Sequence, residues 1–128
     1  MMGYVFEDPD GIEVWLPNLI AGNLFVAVAR CLAESFAAQT GLDQETGLEE
    51  LASDQYRVHP QAFSRFVAKV VDQTWRNTSL RELERGFVAS SVILLEKLGM
   101  TGEAEALKGI LNLEDQLSLE RLRAAMSH

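Results

Sequence analysis

Hydrophobic and polar positions along the chain change their period several times, and each change marks an element. Tyr4-Val5-Phe6-Glu7 and Ile12-Glu13-Val14-Trp15-Leu16 are short, β-branched and aromatic, with partial alternation, as half-buried strands are. Asp8-Pro9-Asp10-Gly11 lies between them and puts proline second and glycine fourth in a type I turn. The pattern predicts a β-hairpin over residues 3–16. Two strands alone are marginal in water, so Phe6, Val14 and Trp15 are expected to rest on an apolar surface.

Beyond Pro17 the pattern turns helical. Asn18 is placed to cap a helix over about 19–39, and Thr40-Gly41 to end it. That stretch is apolar nearly all round, with Asn23, Arg30 and Glu34 as one thin polar stripe, which predicts the central, buried helix of its domain. Residues 42–58 form a polar, acidic insert. Within it Thr46-Gly47-Leu48-Glu49 fits a capping box that opens a short helix through Ala52, and Tyr56-Arg57-Val58 reads as extended. Phe63, Phe66, Val67, Val70, Val71 and Trp75 make the clearest amphipathic stripe, a helix over about 60–76 with Pro60 at its first position. Ser79-Leu80-Arg81-Glu82 predicts the start of a second buried helix over about 80–98, stopped by Gly99. Two more follow, about 102–112 and 117–126, with Asn112 as a break. The fold class read from the pattern is mainly α: a four to five helix bundle with a short N-terminal β-hairpin, in a single domain over 1–128.

Composition narrows the classes. With 128 residues, 48% hydrophobic and 23% charged, the chain has the profile of one globular domain with enough length for its own core. No run reaches the roughly 18 uninterrupted apolar residues of a membrane span, and the start lacks the pattern of a signal peptide. Cys31 is the one cysteine, which excludes an internal disulfide or a multi-cysteine zinc site. The net charge of −8 argues against nucleic acid. The charge is also uneven. Residues 1–56 hold ten acids and one base, Arg30, whereas 57–128 hold nine acids and ten bases. Such a field favours encounter with a basic partner.

Candidate chemistry is sparse. His59 and His128 are the only histidines; neither has a second ligand at helical spacing, so no histidine metal site is expected. Asp8, Asp10 and Glu13 lack the spacing of a calcium loop. Cys31, within the most apolar helix, is expected to be a small buried hydrophobe, and Ser90 and Ser91 to bond back to the preceding turn. There is no phosphate loop and no dinucleotide fingerprint. No cofactor and no catalytic residue are expected.

The spaced set Phe6, Trp15-x-Pro17-Asn18, Leu24-Phe25, Pro60-x-Ala62-Phe63-x-x-Phe66, Gly86-Phe87-Val88-Ala89, Leu94 and Gly99 resembles a family of small uncharacterised actinobacterial proteins. The likeness covers about residues 4–99, with 100–128 as an extension beyond it. It implies a cytoplasmic bacterial protein and transfers no activity.

The function expected is a non-enzymatic binding protein that docks a basic protein partner on its acidic N-terminal half. The contact residues would be Glu45, Glu49, Glu50 and Asp54, with Tyr56 or Trp15 as aromatic anchors. Immunity or antitoxin proteins, which block a toxin by covering it, are the analogy. A second expectation is a small-molecule binder or enzyme with a pocket between the apolar helices and the hairpin, its polar wall drawn from Asn23, Arg30, Glu34 and His59 and completed by Trp15, Tyr56 or Trp75. A third is a homodimer through Leu119, Leu122 and Met126 of the C-terminal helix. Neither nucleic acid nor membrane is expected as a partner.

Overall fold

A computed structural model describes residues 3–42, 44–111 and 113–126, with the side chains of residues 113 and 114 left aside. Residues 1–66 and 67–128 form two compact units. The elements are β1 (Val5–Glu7), β2 (Glu13–Trp15), α1 (Leu19–Thr40), β3 (Leu48–Ala52), β4 (Gln55–Val58), α2 (Pro60–Thr74), α3 (Thr78–Lys97), α4 (Thr101–Lys108) and α5 (Leu113–Met126). The expected helical bundle with a lone hairpin is therefore overturned. The protein is mixed α/β, with five helices and a four-stranded mixed sheet among the described residues.

The first unit is built on that sheet, in the order β2-β1-β4-β3. β1 and β2 are antiparallel, with Phe6 opposite Trp15 and Glu7 opposite Glu13. Their turn is held by the Asp8 carboxylate, whose Oδ1 accepts the Asp10 and Ile12 N–H groups, both at 2.9 Å. The acidic insert supplies the other two strands. β3 and β4 are antiparallel, with Leu48 opposite Val58 and Glu50 opposite Tyr56, so no helix opens at Thr46. A five-residue helix would gain about one backbone hydrogen bond for the cost of its nucleus, whereas the strand pairs along its length. The Thr46 hydroxyl accepts the Leu48 N–H at 3.1 Å, a local turn rather than a cap.

β1 and β4 run parallel, with Phe6 opposite Tyr56 and Glu7 opposite Arg57. Parallel neighbours need a long crossover, and the chain between them contains α1. Across the sheet one row reads Trp15, Phe6, Tyr56, Glu50, and the row beside it reads Glu13, Glu7, Arg57, Glu49. Phe6 is fully buried. Its ring stacks on Trp15 at 5.2 Å and on Tyr56 at 5.8 Å, and meets Phe25 of α1 edge-on at 5.6 Å. The helix can lie this close because residue 22 is glycine: a Cβ there would stand 2.4 Å from Tyr4.

α1 keeps the predicted ends. Asn18 accepts the Ala21 N–H at 2.8 Å, and the Gly41 N–H returns to the Ala37 carbonyl. It is not the all-round buried helix its composition predicts. Gly22, Phe25, Val26, Ala29 and Phe36 are buried, while Leu19, Ile20 and Leu24 are exposed, Ile20 at 80%. Cys31, expected in the core, is exposed as well.

The second unit holds the end of α2 with α3, α4 and α5. α3 begins at Thr78 with Asn77 as its cap, two residues earlier than the Ser79 capping box predicts; the Asn77 side chain accepts the Leu80 N–H at 3.1 Å. Its second half is buried as expected, at Val88, Ala89 and Ser91 through Leu95, with Ser90 half-buried. α5 begins at Leu113, four residues before the predicted start; Asn112 lies outside the described residues. Charged groups join the helices. Arg123 of α5 grips both carboxylate oxygens of Glu96 on α3 at 3.0 Å, Lys108 of α4 pairs with the same carboxylate, and Arg85 reaches the buried Asp115 at 2.9 Å. Burial alone would raise the Glu96 carboxyl, but Arg123 and Lys108 outweigh it and hold it below the usual range.

Glu84 is the opposite case. It is buried, its Oε2 has no hydrogen-bond partner among the described residues, and burial raises its carboxyl despite a hydrogen bond from Thr74. The unfolded chain therefore ionises this group at lower pH than the folded one, so its ionisation costs stability as pH rises from about 4.5 through the raised folded value. Glu84→Gln is expected to be more stable than the native protein at neutral pH, and the gain to vanish in acid, as measured by urea denaturation across pH. A second expectation concerns Gly47, which has φ +82 and a would-be Cβ 2.4 Å from the Phe63 nitrogen. Gly47→Ala should cost about 2–4 kcal/mol from left-handed strain and overpacking together. Gly11→Ala, at φ +84 with nothing within 4 Å, should cost only the smaller strain component.

Candidate functional site

The polar groups of the first unit gather where α1 passes the edge of the sheet. Arg30 leaves α1 and its Nη2 donates to Glu50 Oε1 of β3 at 2.8 Å and to the Tyr56 hydroxyl of β4 at 3.1 Å. Its guanidinium carbon also stands 5.9 Å from the centre of the Tyr56 ring, within cation–π range. Two turns earlier on the helix, Asn23 accepts the Tyr4 hydroxyl at 3.2 Å. The Tyr4 and Tyr56 rings stack at 5.9 Å, almost parallel. Burial pushes the Tyr56 phenol above its ordinary value, and the Arg30 charge reduces that rise.

β3 is an outer strand of the sheet. Glu50 and Glu49 are both about half exposed. Glu49 points the other way from Glu50 and meets His59 Nε2 at 2.9 Å. On the neighbouring strands the row continues inward: Arg57 binds Glu7 Oε1 through Nε at 3.2 Å and Nη2 at 2.8 Å, and Gln55 covers the other oxygen. Glu7 is thereby buried yet paired, whereas Glu49 and Glu50 hold exposed partners. Exposed pairs contribute little to stability and exchange readily.

The expected contact residues divide accordingly. Glu45, Glu49 and Glu50 are exposed, and Asp54 is half-buried in the β3–β4 turn, its carbonyl accepting the Val5 N–H at 2.9 Å. Asp43, the other acid of that run, lies outside the described residues, as does His128. Trp15 and Tyr56 are 7% and 3% exposed, so their rings fill the core and not an outer surface. The expected pocket set is dispersed. Arg30 pairs with Glu50 and not with Glu34, which is exposed and has no partner among the described residues. His59 is taken by Glu49, and Trp75 is a buried residue of the second unit. A shallow surface pocket of about 460 Å³ does exist in the first unit, but Tyr4, Leu19, Ile20, Asn23, Leu24 and Ala27 line it. Of the expected set it contains Asn23 alone. In the second unit Leu119 and Met126 are buried and Leu122 is half-buried.

Sequence reasoning missed the Glu7–Arg57 pair and the role of Tyr4. The signal for both was the parallel register of β1 on β4, which places Glu7 beside Arg57 and Phe6 beside Tyr56 and which no local pattern carries. It also missed the exposure of α1. That helix is long and apolar enough to cross a membrane by length and composition, with mean hydropathy 1.5 and 28% of its most apolar window buried. Among the described residues no group of three or more His, Cys, Asp or Glu is placed to hold a metal ion.

Fold and site together define a small mixed α/β protein whose distinctive surfaces are an acidic sheet edge and an uncovered apolar helix face. The chain belongs to the family of unknown function DUF6086, whose family model matches residues 2–127. Residues 100–127 are thus part of the family pattern and not an extension beyond it. No curated protein and no solved structure matches the chain.

The burial of Tyr56 makes a direct prediction. Tyr56→Ala should cost about 3–5 kcal/mol of stability, as removal of a core aromatic does, while Tyr56→Phe should cost about 1 kcal/mol for the lost hydrogen bond. Chemical denaturation of the two variants checks this; a small cost for both would show that the ring is not part of the core.

Proposed function

We propose that the protein is a binding module without catalytic chemistry, and that the β3 edge receives a basic segment of a partner protein. The observation that carries this reading is the position of β3: an outer strand of the sheet that presents Glu49 and Glu50 half exposed, with Glu45 exposed just before it. An added strand finds main-chain groups on such an edge, and alternate side chains supply specificity. Lys or Arg side chains of the incoming segment would trade places with His59 and Arg30 at exposed pairs, an exchange of low cost. The ten acids among residues 1–56 steer a basic partner toward this unit. A basic toxin-like enzyme is the kind of partner that suits the edge, which is the role of an immunity or antitoxin protein.

The test begins with affinity capture from source lysate at low and high salt, followed by association kinetics with the captured basic protein. Glu49→Lys/Glu50→Lys should fold normally, because both side chains are exposed, and should bind about tenfold more slowly with a flatter salt dependence. Unchanged kinetics in this variant, or the absence of a basic partner at either salt, would refute the reading.

A further inference from the structure

The outward face of α1 is a self-complementary surface. At 100° per residue, Ile20, Leu24, Ala27, Cys31, Ser35 and Ala38 fall within about 40° of one line along the helix, and all six are exposed. The stripe is about 27 Å long and carries no charge. A helix of a folded unit normally turns such a face inward, and an uncovered apolar face marks an interaction site. We infer that this face pairs with the same face of a second copy, the two α1 helices running antiparallel about a two-fold axis at Cys31.

Three features select a second copy as the occupant. The first is spacing. Counted from Cys31, Ala27 and Ser35 lie four residues away on either side, and Leu24 and Ala38 lie seven. Across a two-fold at Cys31 these positions meet in pairs, because residue i meets j and j meets i. Leu24 then lies over Ala38 and Ala27 over Ser35, large against small at the ends and small against small near the axis, which lets the helices approach to the short end of the usual 8–10 Å.

The second feature is charge. The two-fold brings the same flank of each helix together. On that flank stand Asn23, Arg30 and Glu34, the last two exposed and of opposite sign. Arg30 of one copy then faces Glu34 of the other, twice over. Among the described residues Arg30 uses Nη2 alone, for Glu50 and Tyr56, which leaves Nη1 and Nε for the second copy. Glu34, unpartnered among the described residues, gains its cation. Elsewhere the first unit is strongly acidic, so this neutral face is where two copies meet without repulsion.

The third feature is a knob at the distance of a pocket. Leu42 is 68% exposed just beyond the end of α1, eleven residues from Cys31. Ile20 is eleven residues away on the other side and lines the shallow pocket with Tyr4, Leu19, Asn23, Leu24 and Ala27. In the antiparallel pair, Leu42 of the second copy comes to the level of that pocket. This surface adjoins the one proposed for a basic partner, the two sharing Arg30 at their border, and does not depend on it.

The position of Cys31 supplies the test. The full chain should run at twice its 14.2 kDa mass in light scattering, and a short bis-maleimide should link Cys31 to Cys31 in high yield, with no product from Cys31→Ser. Ala27→Glu, at an exposed position, should keep the native circular dichroism and run as a monomer. Glu34→Arg should weaken the dimer about tenfold, and Arg30→Glu/Glu34→Arg should restore it. Glu49→Lys/Glu50→Lys should remain dimeric, which separates this inference from the proposed function. A monomer up to about 100 µM, or a dimer indifferent to Ala27→Glu, as one through α5 would be, overturns it. So does a monomer that sediments with phosphatidylcholine vesicles, which would make α1 a lipid-facing helix.

Discussion

The parallel pairing of β1 with β4 is the constraint on which the first unit depends. It joins two local hairpins into one sheet, and it sets Phe6 between Trp15 and Tyr56 with the edge of Phe25 above. Aromatic rings of this size contribute most of the apolar area that a short sheet can bury. The same register lines up Glu7 with Arg57, so that the buried carboxylate is paired as its strand becomes central. Gly22 and Gly47 serve the same packing, since each stands where a side chain would collide with an aromatic residue, Tyr4 or Phe63.

Charge does different work in the two units. In the second, Glu96 binds Arg123 and Lys108, and Asp115 binds Arg85, so ion pairs connect one helix to the next. These groups are partly or wholly buried, and their pairing decides whether they stabilise. In the first unit the acids are more numerous and the bases few, and Glu49 and Glu50 are held only by exposed partners. Those pairs add little to folding. They keep an outer strand charged, which protects it from indiscriminate pairing.

α1 shows how composition and burial separate. Its sequence is apolar on nearly every side, but a sheet of four strands, each of three to five residues, covers one stripe of it. The covered stripe contains Gly22, Phe25, Val26, Ala29 and Phe36. The uncovered one runs through Ala27, Cys31, Ser35 and Ala38, which are small. Burial followed position on the helix and not side-chain size: Gly22 and Ala29 are buried, while Leu19, Ile20 and Leu24 are exposed.

The sequence by itself determined the local elements. The Asp-Pro-Asp-Gly turn fixed the first hairpin, Asn18 and Gly41 fixed the ends of α1, and the stripe from Phe63 to Trp75 fixed α2, because turn chemistry, capping and period act over a few residues. Only the tertiary structure decided the rest. Leu48–Ala52 became a strand because β4 was there to pair with it, a gain that outweighed a capping-box signal. Trp15 and Tyr56 became core rather than surface because the sheet brought them to either side of Phe6. Cys31 came to the surface because the sheet covers the opposite side of its helix. In each case the deciding contact joins residues distant in sequence, whose pairing no local period encodes.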